Sequence, residues 1–183
     1  EAEEVVAIGG IDVRLNTPVG KEVTLEALTR DYDALFLGVG LGEDSYLGLP
    51  GEALDGVWGA VDWIEVMKTR DGYQLPNNLR SAVVVGGGNT ALDVVRELRG
   101  LGVESVTLVY RRDEESMSGY QHEWHAAHRE GVTAAWNRQP VAIVGEDGHV
   151  TGIRVAKTAN TQTDDGKTRL ANVPDSEHEL PCQ

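Results

Sequence analysis

Residues 81–98, SAVVVGGGNTALDVVREL, contain the pattern that decides the fold of this chain. The apolar run Ala82–Val85 predicts a buried strand, and the three glycines after it predict a tight turn. The following residues predict a helix, because the apolar side chains of Leu92, Val95 and Leu98 recur on one of its faces. A buried strand, a tight turn and an amphipathic helix in this order begin a β-α-β unit with parallel strands.

The residues after this unit predict further strands and one more helix. A capping box at Ser118–Gln121 predicts the start of a helix that ends near Glu130, and Gly145–Gly148 predicts a hairpin turn. Residues 158–168 are polar and predict a loop. The sequence therefore predicts an α/β fold, in which a Rossmann-like parallel sheet with flanking helices is followed by a small antiparallel β-meander. The strands after the first are expected at Ser105–Tyr110, Val132–Trp136, Val141–Val144 and His149–Val155, with another before Pro174.

The N-terminal part of the chain predicts shorter elements. The segment GVGLG at Gly38–Gly42 follows a predicted strand, but no helix follows it, so we expect a crossover there and not a second glycine fingerprint. The expected elements are a helix within 1–8, a strand at Ile11–Leu15, a helix at Thr24–Arg30 with Thr24 as its N-cap, a buried strand at Asp33–Val39, a glycine-rich connector at 40–56 and a helix near 58–68.

Gly86, Gly88 and Ala91 have the spacing of the dinucleotide-binding fingerprint, with alanine in the third small position. Gly86 permits the tight turn, Gly88 leaves room for a pyrophosphate, and Ala91 lets the helix approach the strand. The start of the helix offers free N–H groups and the positive end of the helix dipole. Asn89 and Thr90 are expected either to cap the helix or to bind phosphate oxygens. The alternative is a glycine turn with a structural role only.

The end of the second strand indicates which dinucleotide is bound. NAD sites usually place an acidic residue there for the ribose 2′-hydroxyl, whereas this chain has Arg111 and Arg112. Guanidinium groups bind phosphate through a planar fork, so the pair favours NADP(H), and it counts against an S-adenosylmethionine methyltransferase. The alternative is a solvated arginine pair that bonds the neighbouring acids Asp113, Glu114 and Glu115.

The charge of the chain excludes several classes of partner. It has 16 basic and 30 acidic residues, a net charge of −14 and a pI near 4.7, so we expect neither a nucleic acid nor an anionic membrane surface as partner. Residues 61–112 hold seven basic and six acidic side chains, so an anionic ligand is expected there. No apolar run is long enough to span a membrane, and no signal peptide is recognised.

Cysteine, histidine and P-loop motifs give little sign of further chemistry. A single cysteine, Cys182, cannot form an internal disulfide, a CxxC pair or a cysteine-ligated cluster, and it favours a reducing, cytoplasmic location. The histidines at 122, 125 and 128 lack a metal-binding spacing and are expected to be solvated. Residues 166–168 resemble the end of a P-loop, but a threonine at 161 stands where its first glycine belongs.

Several runs of residues together resemble one known family. They are DYDALFLGVG at 31–40, LGLPGE at 47–52, GVWGAVDWIE at 56–65, VVVGGGNTALDVVREL at 83–98, the run from 103 to 132 that contains VTLVYRR, and DGHVTGIRV at 147–155. In these runs the chain resembles the small (β) subunit of NADPH-dependent glutamate synthase. That subunit is a flavoprotein similar to the pyridine nucleotide-disulfide oxidoreductases. Dihydropyrimidine dehydrogenase has a similar portion.

The resemblance implies a function and a set of site residues. In the family, an NADPH domain is inserted into an FAD domain, NADPH reduces the FAD, and electrons pass through iron–sulfur clusters to a partner subunit. It implies a pyrophosphate site at Gly86, Gly87, Gly88, Asn89, Thr90 and Ala91, a 2′-phosphate site at Arg111 and Arg112, and proximity to FAD for Val39, Gly40 and Gly42.

The chain also departs from the family pattern. It lacks the N-terminal FAD fingerprint and the cysteine-rich cluster region, and it ends at SEHELPCQ, where the family returns to its FAD domain. We therefore expect residues 1–50 to be part of an FAD domain and residues 51–183 to be an NAD(P)H-binding domain, with FAD bound only in a longer parent. The expected partner is a glutamate synthase-like large subunit or another electron acceptor. The rival hypothesis is a non-catalytic nucleotide-binding module or an inactive truncated remnant.

Overall fold

A computed structural model describes residues 2–39, 42–76, 79–163 and 166–183 of the chain. Its contacts divide the chain into two compact units, Glu1–Gly42 and Glu43–Gln183, which are described separately. The expected boundary near residue 50 rests on the resemblance to an FAD domain and not on contacts, so it stays a prediction. Among the described residues, no helix is long and apolar enough to cross a membrane.

The described residues of the unit Glu1–Gly42 form two helices, α1 (Ala2–Ala7) and α2 (Leu25–Asp31). The Thr24 hydroxyl accepts a hydrogen bond from the Ala27 N–H at 3.1 Å, which confirms the predicted N-cap. The predicted strands at Ile11–Leu15 and Asp33–Val39 are wrong, since neither forms in the structure. A strand needs a neighbour for its backbone hydrogen bonds, and no described segment of this unit pairs with either run.

The unit Glu43–Gln183 is built around a parallel sheet that confirms the predicted α/β fold. Its three strands lie in the order β1-β2-β3, and Val85 of the first pairs with Val109 of the second. Leu92, Val95 and Leu98 are buried against this sheet, as the apolar periodicity predicted. The elements in chain order are α3 (Ala60–Thr69), β1 (Ser81–Val85), α4 (Asn89–Gly100), β2 (Ser105–Tyr110), α5 (Gln121–Arg129) and β3 (Thr133–Trp136).

An antiparallel sheet follows at once and confirms the predicted meander. Its strands are β4 (Arg138–Glu146), β5 (His149–Gln162), β6 (Thr168–Asn172) and β7 (His178–Pro181). The first part of β5 pairs with β4 and β7, and its last residues pair with β6. The predicted polar loop at 158–168 is therefore wrong over its first half. Polar residues continue β5 because β6 supplies their backbone hydrogen bonds.

Candidate functional site

The chain passes from β1 to α4 through the three glycines. Gly86 has a φ of +144°, a conformation that favours glycine, and its N–H donates to the carbonyl of Val109 at 3.0 Å. A Cβ atom at Gly86 would lie 3.2 Å from the Cβ of Ala91, so helix and strand approach closely at this point. The strand, the turn and the helix thus have the arrangement that the fingerprint requires.

The start of α4 faces an open approach. Gly88 is the N-cap residue, with no side-chain cap, and a Cβ there would meet only the Ser118 hydroxyl oxygen at 3.8 Å. Leu92 donates the first intrahelical hydrogen bond, to the Gly88 carbonyl at 3.2 Å. The N–H groups of Asn89, Thr90 and Ala91 precede it, and such groups at a helix N-terminus bind anions. The side chains of Asn89 and Thr90 are exposed at this edge.

Gly87 faces the interior instead. It is buried, and a Cβ there would lie 2.6 Å from ring atoms of Tyr110, the last residue of β2. Glycine is therefore required at 87 for packing, whereas a Cβ at Gly88 would meet a single atom within 4 Å. A direct contact between Gly87 and a ligand stays a prediction.

The loop before α5 is hydrogen-bonded to the glycine turn. The Gly87 carbonyl accepts from the Gly119 N–H at 2.7 Å and from the Ser118 hydroxyl at 3.1 Å. The Asn89 side-chain oxygen accepts from the Tyr120 N–H at 2.9 Å. The predicted capping box at Ser118–Gln121 is wrong, because Tyr120 is the N-cap of α5 and the Ser118 hydroxyl serves the turn. Sequence spacing did not reveal this loop contact, since its partners lie about 30 positions apart.

Arg111 and Arg112 follow β2 at the same edge of the sheet. Because β1 and β2 are parallel and in register at Val85 and Val109, the arginines lie beside the glycine turn. Both side chains are exposed. The structure records no hydrogen bond or ion pair between either guanidinium and a residue that it describes. The charge of Arg112 only contributes to the lowered pKa of Asp113. The pair is thus available to an anionic ligand.

Two of the three neighbouring acids, Asp113 and Glu114, are engaged elsewhere. Hydrogen bonding from the Ser116 side chain lowers the pKa of Asp113 most, followed by the Ser116 N–H, which donates to the Asp113 carboxylate at 2.9 Å, and the charge of Arg112 contributes less. Glu114 lies 3.8 Å from the Nε2 atom of His125. Among the described residues, the structure shows no ion pair between these acids and the two arginines, so it does not support the alternative of a neutralised arginine pair.

The predicted FAD-proximal residues belong to the unit Glu1–Gly42. Val39 is 85% exposed, and Gly42 has a φ of +84° with open space where a Cβ would stand. Gly40 lies outside the described residues. Their role stays a prediction. Among the described residues, no group of three or more histidine, cysteine, aspartate or glutamate side chains could hold a metal ion.

Comparisons with known proteins agree with this geometry. A family model described as pyridine nucleotide-disulphide oxidoreductase matches residues 3–173. The glutamate synthase [NADPH] small chain of Escherichia coli is 40% identical over 183 residues, which cover 94% of this chain and 39% of that protein. The NADP(+)-dependent formate dehydrogenase subunit beta of Moorella thermoacetica is 35% identical over 184 residues, which cover 100% of this chain and 26% of that protein.

A solved structure shares the fold. FprA of Mycobacterium tuberculosis in complex with NADPH matches with a TM-score of 0.71 at 20% identity, over 92% of this chain and 52% of that one. The chain spans less than half the length of these two curated relatives.

Proposed function

The chain belongs to the pyridine nucleotide-disulphide oxidoreductase family, and from that membership and the geometry of the glycine turn we propose that it binds NADP(H) as part of a flavin-dependent oxidoreductase. One observation carries the proposal. The glycine turn and the two arginines without described ion-pair partners lie at the ends of adjacent parallel strands, which is where α/β sheets bind dinucleotides.

The residues present fit the dinucleotide in two respects. Gly88 leaves open space beside the amides of Asn89, Thr90 and Ala91, which suits a pyrophosphate. The guanidinium groups of Arg111 and Arg112 suit a 2′-phosphate, and each charge-assisted hydrogen bond to it contributes roughly 1.5–3 kcal/mol. The roles of these residues are therefore binding and orientation.

The chemistry itself comes from the cofactors. When bound, NADPH would supply a hydride from C4 of its nicotinamide to N5 of a flavin, and no acidic or basic side chain of this chain is needed for that transfer. Val39, Gly40 and Gly42, the residues assigned near the FAD by resemblance, offer only backbone polar groups. We propose that these three residues meet the flavin through their backbone and that the rest of the flavin site belongs to a longer parent protein.

The onward acceptor belongs to the same proposal. The E. coli relative is named for glutamate synthase and the M. thermoacetica relative for formate dehydrogenase, so related chains are named for different second reactions. We propose a glutamate synthase-like large subunit or another electron acceptor as partner. A cytoplasmic location is consistent with the single cysteine.

The two arginines provide the test of nucleotide choice. The double variant Arg111→Ala/Arg112→Ala should weaken NADPH binding at least about 100-fold, because at least two charge-assisted hydrogen bonds are lost. NADH has no 2′-phosphate, so its Kd should change less than about threefold. Calorimetric titration at one salt concentration measures both values. Equal losses for NADPH and NADH would contradict the 2′-phosphate assignment.

A second measurement tests the placement of the flavin site outside this chain. We expect the purified chain to bind NADPH, to show no flavin absorbance and to reduce no added acceptor. This result would mean that the chain is the nucleotide-binding portion only. Stoichiometric flavin in the purified chain would contradict the placement of the flavin site in a longer parent.

A further inference from the structure

Three chain segments meet behind the arginine pair. The carbonyl of Arg111 accepts a hydrogen bond from the Thr158 hydroxyl at 2.7 Å, and the carbonyl of Arg112 accepts one from the Asn137 N–H at 2.9 Å. The Thr158 N–H in turn donates to the Asn137 carbonyl at 3.0 Å. These bonds tie the end of β2 to the β3–β4 junction and to β5. The backbone of Arg111 is therefore held from the antiparallel sheet and that of Arg112 from the β3–β4 junction, while both side chains remain exposed.

Thr158 is unusual in its surroundings. In the described part of the chain it is the one polar residue that is buried, with 8% of its surface exposed. Val155 and Ala156 beside it on β5 are buried apolar residues, so packing alone would accept a valine at 158. A buried hydroxyl is costly unless it is hydrogen-bonded. Its hydrogen bond reaches across 47 positions of sequence to the carbonyl of Arg111.

Asn137 makes the second attachment possible. It is the single residue between β3 and β4, and its φ of +54° is a left-handed conformation that asparagine tolerates better than most residues. This conformation turns the chain from the parallel sheet into the antiparallel sheet. In this conformation the Asn137 N–H donates to the Arg112 carbonyl, and the Asn137 carbonyl accepts from the Thr158 N–H.

We propose that Thr158 is a positioning residue for recognition of the 2′-phosphate. It acts through the backbone of Arg111, which it holds at the edge of the sheet beside the glycine turn. A site whose backbone is fixed before binding loses less conformational freedom when the ligand arrives, so affinity rises without a new contact. The antiparallel sheet thereby contributes to nucleotide choice. The inference rests on the proposed binding of NADP(H).

The test compares variants of Thr158 with a variant of Thr161, an exposed threonine on the same strand. Thr158→Val and Thr158→Ala remove the hydroxyl, and Thr158→Ser retains it. Thr161→Val is the control, because the Thr161 hydroxyl donates to the Arg169 carbonyl at 3.2 Å, away from the arginine pair. Each variant is titrated with NADPH and with NADH by calorimetry.

The expected result is a selective loss. Thr158→Val and Thr158→Ala should raise the Kd for NADPH about tenfold, equivalent to about 1.4 kcal/mol, and leave the Kd for NADH within about twofold of wild type. Thr158→Ser and Thr161→Val should keep the wild-type ratio of the two Kd values. Misfolded protein would lower the binding stoichiometry for both nucleotides and not the ratio of their affinities, so the ratio reports positioning.

Other outcomes overturn the inference. An unchanged NADPH Kd in the variants that lack the hydroxyl, or equal losses for NADPH and NADH, would show that Thr158 does not position the arginines. Wild-type protein that binds both nucleotides equally, or neither, would instead refute the proposed function on which the inference rests.

Discussion

Tyr110 packs against the glycine turn. Its ring occupies the space where a side chain at Gly87 would lie, its hydroxyl donates to the Ser116 carbonyl at 3.1 Å, and it packs edge-on against Trp136. One aromatic residue thus fixes both the turn after β1 and the loop that follows the arginines. The shape of the candidate site therefore depends on residues that need not touch a ligand.

Gly87→Ala tests this support. The added methyl group would meet the Tyr110 ring at 2.6 Å, so the turn or the ring must move, and we expect a destabilisation of about 1–3 kcal/mol together with weaker NADPH binding. Gly100→Ala is the matched control on α4, since nothing lies within 4 Å of its Cβ position, and it should be neutral or stabilise by about 0.5–1 kcal/mol. Urea unfolding measures both. Similar effects of the two substitutions would contradict the packing role of Gly87.

The sequence predicted the identities of the fingerprint residues but not all of their contacts. The spacing of Gly86, Gly88 and Ala91 follows from local geometry, so the strand, turn and helix were predictable. The contacts of Asn89 with the Tyr120 N–H and of Arg111 with Thr158 join distant segments. No local periodicity encodes such pairs, because they depend on how the loops after neighbouring strands pack.

Among the helices, α3 is capped by a residue far outside it. The two carboxylate oxygens of Asp44 accept hydrogen bonds from the N–H groups of Val61 and Asp62, both at 2.9 Å. The N-cap itself is Gly59, which has no side chain to serve these donors, and a Cβ there would collide with the Asp44 carboxylate. The Asp44 carboxylate therefore caps the N-terminus of α3, although it lies 17 residues upstream of Val61.

Asp44→Ala should destabilise the unit Glu43–Gln183 by about 1 kcal/mol, since two helix N–H groups lose their partner. Asp71→Ala is the control, because Asp71 is an exposed aspartate just after α3 and the structure records no hydrogen bond of its side chain with a described residue. Thermal unfolding of both variants gives the comparison. Equal unfolding temperatures for Asp44→Ala and wild type would contradict the capping role.

A second link at the scale of elements joins α4 and α5. The Arg96 guanidinium donates to Glu123 at 2.6 Å and to Glu130 at 3.0 and 3.2 Å. Hydrogen bonding to Arg96 lowers the pKa of Glu130. A carboxyl group whose pKa is lower in the folded state stabilises the fold above its unfolded-state pKa, and this contribution is lost as the pH falls through the folded-state value. The pairs are partly exposed, so the contribution is small.

At the scale of the whole molecule, the two units differ in how far their sequences determine them. In Glu43–Gln183, local patterns and tertiary contacts agree, and most predicted strands and helices form. In Glu1–Gly42, Phe36 and Val39 are 93% and 85% exposed, although their apolar run is typical of a buried strand. A strand forms only where a neighbouring strand takes its hydrogen bonds, so a run of apolar residues is not sufficient.

The central claim is that the edge of the parallel sheet binds a 2′-phosphorylated dinucleotide. The most direct measurement is a calorimetric titration of the unmodified chain with NADPH and with NADH at one fixed salt concentration. We expect one NADPH site per chain, with a Kd at least about tenfold below that for NADH, because two guanidinium groups can donate charge-assisted hydrogen bonds to the 2′-phosphate. Equal affinity for the two nucleotides, or binding of neither, would contradict the account.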